Sequence, residues 1–284
     1  MSRSFLFVPG DSPRKFERAA AGEADALVLD LEDSVAPDAK VAARDTVRGM
    51  LKTGAPGKQL WVRMNPLDTE WARGDLDAVM GAKPFGIVQP KTRSGDDIRK
   101  LAALLDECEA ATGDRQGKTH ILAIATELGA AMFSLGTYGG SSPRLWGLSW
   151  GAEDLAADIG ALVNRTAGRY TEPFRLARSM CLFGATAAGV RAIDTVCVDL
   201  DDLSIVAAES AEARRDGFVG KMAIHPKHVP AIHAAFTPSA EELDFARRII
   251  AVFDANPNTG AFRLEGKMID RPHLRAARRL LGQA

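Results

Sequence analysis

ALVLDLE, residues 26–32, is a run of apolar side chains that breaks off in acids, with Asp33 following directly. Its first four residues show no alternation of apolar and polar positions. It therefore reads as a strand covered on both faces, as in a parallel sheet. Seven further runs share this build: SFLFVPG (4–10), QLWVRMN (59–65), GIVQPK (86–91), HILAIATE (120–127), RLWGLSWG (144–151), DTVCVDL (194–200) and GKMAIHP (220–226). Most end in a polar or charged residue, and helical spacing fills most of the gaps. Strand and helix alternating along a whole chain imply a parallel sheet with crossover helices. Eight such units close naturally as an α/β fold, the (β/α)8 TIM barrel, whose chemistry sits at the carboxyl ends of its strands.

The spacing predicts helices over 39–51, 75–80, 94–111, 128–135, 152–159, 173–192, 203–216, 229–235 and 239–255, with a first one opened by Ser12 and Pro13. A barrel needs about 250 residues. The 284 residues therefore divide into a barrel over 1–236 and a C-terminal helical extension over 237–284, placed as a lid or as an arm onto a neighbouring subunit. A formal net charge of -1 argues against a general nucleic-acid binder. No apolar run is long enough to span a bilayer. The amino terminus reads as the first strand rather than a signal peptide. Cys108, Cys181 and Cys197 have no metal-type spacing, and they fit reduced thiols in a cytoplasmic protein.

Glu127 closes the fifth run, and Asp154 lies just past the sixth. Neighbouring parallel strands are about 4.8 Å apart, so these carboxylates approach one another. Either one takes a proton or a cation sits between them. With oxygen ligands only, that cation is hard, and Mg²⁺ is favoured. Each acid alone could instead cap a helix or pair with an arginine. Asp30, Glu32 and Asp33 put three acids within four residues at a half-buried strand end, where charge is costly. They hold metal-bound waters or position basic groups, unless Asp33 or Ser34 merely caps the next helix. Arg63, deep in WVRMN, needs an anionic partner: Glu32 as an ion pair, or a substrate carboxylate. Lys91 poses the same question more weakly. His225 in IHPKH is read as a hydrogen-bonded structural histidine rather than a metal ligand with His228, and Gly139-Gly140 as a turn.

The strings RSFLFVPGDSPRK, LVLDLEDSV, VRMN, QPK, ATE, WGAEDLAADIGA, GKMAIHP and EGKMIDRPHLRAAR, in this order over nearly the whole chain, resemble the HpcH/HpaI aldolase and citrate lyase beta-subunit superfamily, in its citrate lyase beta-like and malyl-CoA lyase branch. The resemblance implies Mg²⁺, with Mn²⁺ as a substitute, and reversible carbon–carbon cleavage of a small hydroxyacyl-CoA such as malyl-, beta-methylmalyl- or citramalyl-CoA into an acyl-CoA and a 2-oxo acid. By position, Glu127 and Asp154 match the metal-binding pair, and Arg63 the arginine that holds the oxo-acid carboxylate. Glu32 and Asp33 match the acids near the metal waters, and Arg14 and Lys15 the region that meets coenzyme A phosphates. Asp270 matches an acid that malyl-CoA lyase-like members deliver to a neighbouring subunit's site, which implies a homotrimer or hexamer. One departure stands out: around Glu127 the chain reads AIATELGAAMF, where many members have an isoleucine–glutamate–threonine string.

The rival readings are a citrate lyase beta subunit acting on an acyl-carrier protein, a malyl-CoA thioesterase and a coenzyme-A-independent 2-oxo acid aldolase. Outside enzymes, the rival is a sensing or scaffolding barrel, which fold alone does not exclude.

Overall fold

Eight parallel strands close into a barrel in a computed structural model that describes residues 2–113 and 117–283. In chain order they are Ser4–Pro9, Ala26–Asp30, Gln59–Arg63, Gly86–Gln89, His120–Ile124, Leu145–Ser149, Arg191–Asp194 and Gly220–Ala223, each paired with its neighbours in that order. The eighth closes on the first, with Ser4 beside Lys221 and Phe5 beside Met222. The expected TIM barrel is the fold of this chain.

Alternate residues of each strand face opposite ways, and the core divides accordingly. Phe5, Val28, Trp61, Val88, Leu122 and Trp146 belong to one buried cluster that fills the barrel. Trp61 and Trp146 meet edge to face within it, with ring centroids 5.3 Å apart. Leu6, Leu27, Leu29, Val62, Ile87 and Ile121, of the other parity, join the larger cluster shared with the helices. No helix of the described residues is long and apolar enough to cross a membrane.

The strands stop earlier than most of the apolar runs do, so Glu32, Asp33 and Glu127 lie in the loops just beyond them. One strand is displaced outright. The run over 194–200 is not the seventh strand, which is Arg191–Asp194. The helix expected over 173–192 is Glu172–Ala188, because Gly189 caps it in the left-handed conformation (φ 69°). That stop frees Arg191 to open the strand, its charge resting on the Trp146 ring 4.5 Å away. The segment expected as a helix over 128–135 is a 3₁₀ helix, Gly129–Thr137, where Gly129 and Gly136 weaken α-helical preference. Ser12 makes no side-chain cap, although Pro13 does occupy the first turn of Pro13–Ala20.

The chain divides into two units, Met1–Phe236 and Thr237–Ala284. The second has its own small core of Ala246, Ile249, Phe253, Ile269, Leu274 and Ala277. Helix Ala240–Ala255 starts in a capping box between Ser239 and Glu242. This unit is not purely helical, as the sequence reading had it. Strands Ala261–Leu264 and Lys267–Asp270 form an antiparallel hairpin before the last helix, Arg271–Leu280. Glu265 and Gly266 turn it, both at positive φ, as a two-residue primed turn requires.

Candidate active site

The site grows from one cross-strand pair. Asp30 and Arg63 are register partners at the ends of the second and third strands. Arg63 donates Nε and Nη2 to the two oxygens of Asp30, both at 2.8 Å, a fork-to-fork pairing. Asp30 also folds the loop after its own strand, accepting from the backbone N–H groups of Glu32 (2.9 Å) and Ser34 (3.1 Å). Lys40 fixes the loop from behind by donating to the carbonyls of Leu31 and Glu32, both at 2.9 Å. Glu32 is thereby turned inward, its side chain 5% exposed, while Asp33 stays 55% exposed. Neither Asp33 nor Ser34 caps the helices that follow, whose caps are Ala36 and Ala39.

Arg63 reaches further with Nη1, 2.9 Å from Glu32 Oε2 and 3.3 Å from Asp33 Oδ2. Its guanidinium lies over the Phe7 ring at 4.7 Å. Of the two partners weighed for Arg63, the structure shows the ion pair with Glu32, and adds Asp30 as the stronger one. Burial disfavours its charge, but Asp30 first and then Glu32 and Asp33 more than offset this and raise its pKa.

Glu127 lies three residues beyond the fifth strand and is 2% exposed. Its Oε2 accepts the backbone N–H of Lys91 at 2.5 Å. Asp154 projects from the first turn of helix Ala152–Ile159. Lys91 joins the acids: its Nζ is 2.5 Å from Glu32 Oε1, 3.1 Å from Asp154 Oδ1 and 3.8 Å from Asp33 Oδ1. Gly151 makes room for Glu127, since a Cβ there would stand 2.6 Å from Glu127 Cγ.

The electrostatics are unbalanced. Burial, then the nearby charges of Glu32 and Asp154, push the Glu127 carboxyl up to about 8. Burial, opposed by Arg63 and helped by Asp33, pushes Glu32 up to about 7. Glu32 Oε2 is buried without a hydrogen-bond partner among the described residues, despite its ionic contact with Arg63. Lys91 itself is held charged, the acids outweighing its burial. The acids are the under-satisfied members of this cluster. That is the environment of a cation site, and Glu127 with Asp154 offers oxygen donors only. No group of three or more His, Cys, Asp or Glu arranged as a metal shell occurs among the described residues. Two carboxylates, with the remaining positions left to water and substrate, suit Mg²⁺.

The structure thus brings Glu32, Asp33, Arg63, Lys91, Glu127 and Asp154 together at one mouth of the barrel. Arg14 and Lys15 stand exposed on Pro13–Ala20, just after the first strand, and pair with no acid among the described residues. Asp270 belongs to the second unit. It precedes the last helix and meets His273 Nδ1 with Oδ1 at 2.5 Å, a contact that lowers its pKa. His225 accepts from the Lys227 N–H at 3.1 Å, a local structural role. All three cysteines are free and buried. A cavity of about 510 Å³ opens elsewhere, lined among others by Tyr170, Arg178, Asp194, Glu209 and Arg215. It contains none of the rim acids, and its Arg178 and Arg215 are already paired with Asp194, Asp216 and Glu212.

Asp30 was counted among the three acids of its strand end, but its fork to Arg63 was not read from the sequence, and neither was Lys40. Asp30 had a signal, an acid inside an apolar strand. Lys40, on the next helix, had none.

Comparison with known proteins places these residues in context. The family profile HpcH/HpaI aldolase/citrate lyase matches residues 3–226. A (3S)-malyl-CoA thioesterase of Cereibacter sphaeroides is 34% identical over 291 residues, covering 99% of this chain and 94% of that protein. A citrate lyase subunit beta-like protein of Mycobacterium tuberculosis is 35% identical over 286 residues, with the same coverage of 99% and 94%. The structure of the CitE protein of Mycobacterium tuberculosis in complex with magnesium, acetoacetate and coenzyme A superposes with a TM-score of 0.82 at 32% identity, covering 100% of this chain and 98% of that one.

Proposed function

Since the chain belongs to the HpcH/HpaI aldolase/citrate lyase family, we propose that it is a Mg²⁺-dependent carbon–carbon lyase. Its substrate in this reading is a small hydroxyacyl-CoA, such as malyl-, beta-methylmalyl- or citramalyl-CoA, cleaved reversibly to a short acyl-CoA and a 2-oxo acid. One observation carries the reading: two acids, Glu127 and Asp154, meet at Lys91 beside the Arg63 guanidinium, in a mouth where the charge of the acids is only partly compensated. The magnesium and coenzyme A in the relative's complex support it.

Glu127 and Asp154 are the groups that would hold the ion, which when bound supplies Lewis acidity to the oxo-acid carbonyl. The other roles belong to side chains. Arg63 is pinned by Asp30 and Asp33 through three of its five N–H groups. The remainder can take the carboxylate of the oxo acid. Arg14 and Lys15 face solvent without acidic partners and suit the phosphates of coenzyme A. Asp270 is the proton carrier in this reading. It removes the proton next to the thioester in the synthetic direction and returns it in cleavage. The tail of a neighbouring subunit in a trimer or hexamer delivers it.

A second reading has support of its own, because the relative from Cereibacter sphaeroides is a thioesterase. There, water attacks the thioester carbonyl and free coenzyme A leaves. The purified protein with Mg²⁺, given the three hydroxyacyl-CoAs, separates the two. Release of a 2-oxo acid with an acyl-CoA is expected; release of free thiol with the hydroxy acid would select the thioesterase. Asp270→Asn is expected to lower cleavage by about 100-fold or more while Mg²⁺ binding is kept. Unchanged turnover removes Asp270 from the reaction.

A further inference from the structure

Two lysines serve the acid loop in different ways. Lys40, a residue 9% exposed, is bonded through Nζ to two main-chain carbonyls, a fixed brace. Among the described residues Lys91 Nζ touches only carboxylates, those of Glu32, Asp154 and Asp33, and its side chain is 28% exposed. Its backbone stands in the left-handed region, φ 49°, unusual for a residue with a Cβ. That conformation lets one residue give its N–H to Glu127 while its ammonium turns to the acids of the loop after the second strand and of the helix Ala152–Ile159. Such strain persists only where the surroundings enforce it.

The ammonium and a divalent ion compete for the same carboxylate. Asp154 Oδ1 is engaged by Lys91 at 3.1 Å, whereas Mg²⁺ needs its oxygen ligands at about 2.1 Å. We infer that Lys91 is a placeholder cation: it neutralises the rim acids before the divalent ion arrives and withdraws from Asp154 when the ion binds. The inference rests on Glu127 and Asp154 being the ion-holding pair. The exposed side of the lysine gives its flexible chain somewhere to go. The ion then binds by exchange, more weakly than bare carboxylates would hold it, and the ion-free protein is spared the mutual repulsion of its acids.

Calorimetric titration with MgCl₂ alone tests this in the full chain. Lys91→Met is expected to tighten Mg²⁺ binding by at least about tenfold, because a unit charge beside the dication is removed. Its melting temperature in EDTA should fall below wild type, and its rise on adding Mg²⁺ should be larger. Lys91→Arg keeps the charge and should bind like wild type. Lys91→Gln, neutral but polar, is the second variant should the methionine form not fold, with the same expected tightening. A wild type that binds Mg²⁺ no more weakly than these neutral variants overturns the placeholder role and leaves the ion site standing. A wild type that binds no Mg²⁺, or binding undiminished by Glu127→Gln, overturns the ion site and the placeholder with it.

Discussion

Two buried charge clusters in this barrel have opposite characters. One lies in the mouth and contains Asp30, Glu32, Arg63, Lys91 and Glu127. The other lies on the outer side of the seventh and eighth strands, where Asp194 and Lys221 are register partners. Their parity is opposite to that of Ile193 and Met222, which face the interior. Burial alone would raise the Asp194 pKa, but Lys221 at 2.7 Å, then Arg178, and the Trp150 N–H at 2.7 Å, bring it below the usual range. Glu127 is as deeply buried, yet its nearby charges include Glu32 and Asp154, and its pKa goes up to about 8. Burial is therefore not the mark of a site here. Incomplete compensation is. The outer cluster borders the cavity of about 510 Å³, but its Asp194 is compensated; the inner one stays open to a cation.

Exchanging one residue in each cluster should give opposite results, and these are the largest effects expected. Glu127→Gln should weaken Mg²⁺ binding by about 100-fold or more, beyond what the loss of an outer partner costs. At pH 5, where Glu127 is protonated in the folded protein, it should change the unfolding free energy in EDTA by less than about 1 kcal/mol, since the amide still accepts from Lys91. Lys221→Met should leave Mg²⁺ affinity alone and cost about 3–5 kcal/mol, because it strands a buried carboxylate. Urea unfolding and titration calorimetry on both variants check this. Equal destabilisation of the two would erase the distinction between the clusters.

What the sequence showed of this contrast depended on whether a feature was local. The barrel was legible because each strand carries its own apolar signature, and Glu127, Asp154 and Arg63 were legible as charges at or just past strand ends. The seventh strand was misplaced because its opening residue is charged. Arg191 is exposed to solvent and lies over the ring of Trp146, on a strand 45 residues earlier by number (191 against 146). The apolar run after Asp194 attracted the assignment instead, although Val198 in it is 47% exposed. The fork between Asp30 and Arg63 follows from register across 33 positions, which no local pattern reveals. Lys91 could be noticed as a lysine after a strand, but its left-handed backbone and its reach to several acids are properties of the fold. The tail hairpin went unread because its turn, Glu265-Gly266, places a glutamate at positive φ.

The pH dependence of stability separates the clusters next, by about 2–4 kcal/mol for Glu127. Its pKa is raised from 4.5 to about 8 in the folded, ion-free protein. Below 4.5 the group is protonated in both states. Between 4.5 and about 8 the unfolded chain has lost a proton that the folded chain keeps, so stability falls as pH rises. Glu127→Gln does not titrate. In EDTA, wild type should therefore lose stability relative to that variant from pH 5 to pH 8. Asp194 behaves in the opposite sense: its contribution is present above 3.8 and is lost as pH falls below it. A wild-type advantage that grows toward pH 8 would mean that Glu127 is ionised and compensated like Asp194.

The smallest effect comes from one methyl group. Gly151 faces Glu127, and an alanine Cβ there would come within 2.6 Å of Glu127 Cγ and 3.1 Å of Oε1. The Cγ sits mid-chain, and the far end is tied to the Lys91 N–H, so the side chain cannot simply rotate its tip away. The backbone at Gly151 is extended, φ -126° and ψ 121°, a conformation alanine adopts without strain. The whole cost therefore falls on the position of the Glu127 carboxylate. Gly151→Ala should weaken Mg²⁺ binding by about tenfold, in line with the loss of a group that orients a ligand. Stability in EDTA should drop by no more than about 1–3 kcal/mol, the range for a local overpacking. If Mg²⁺ affinity is unchanged while the folded state weakens, the carboxylate beside Gly151 serves packing, and the open cluster resembles the compensated one after all.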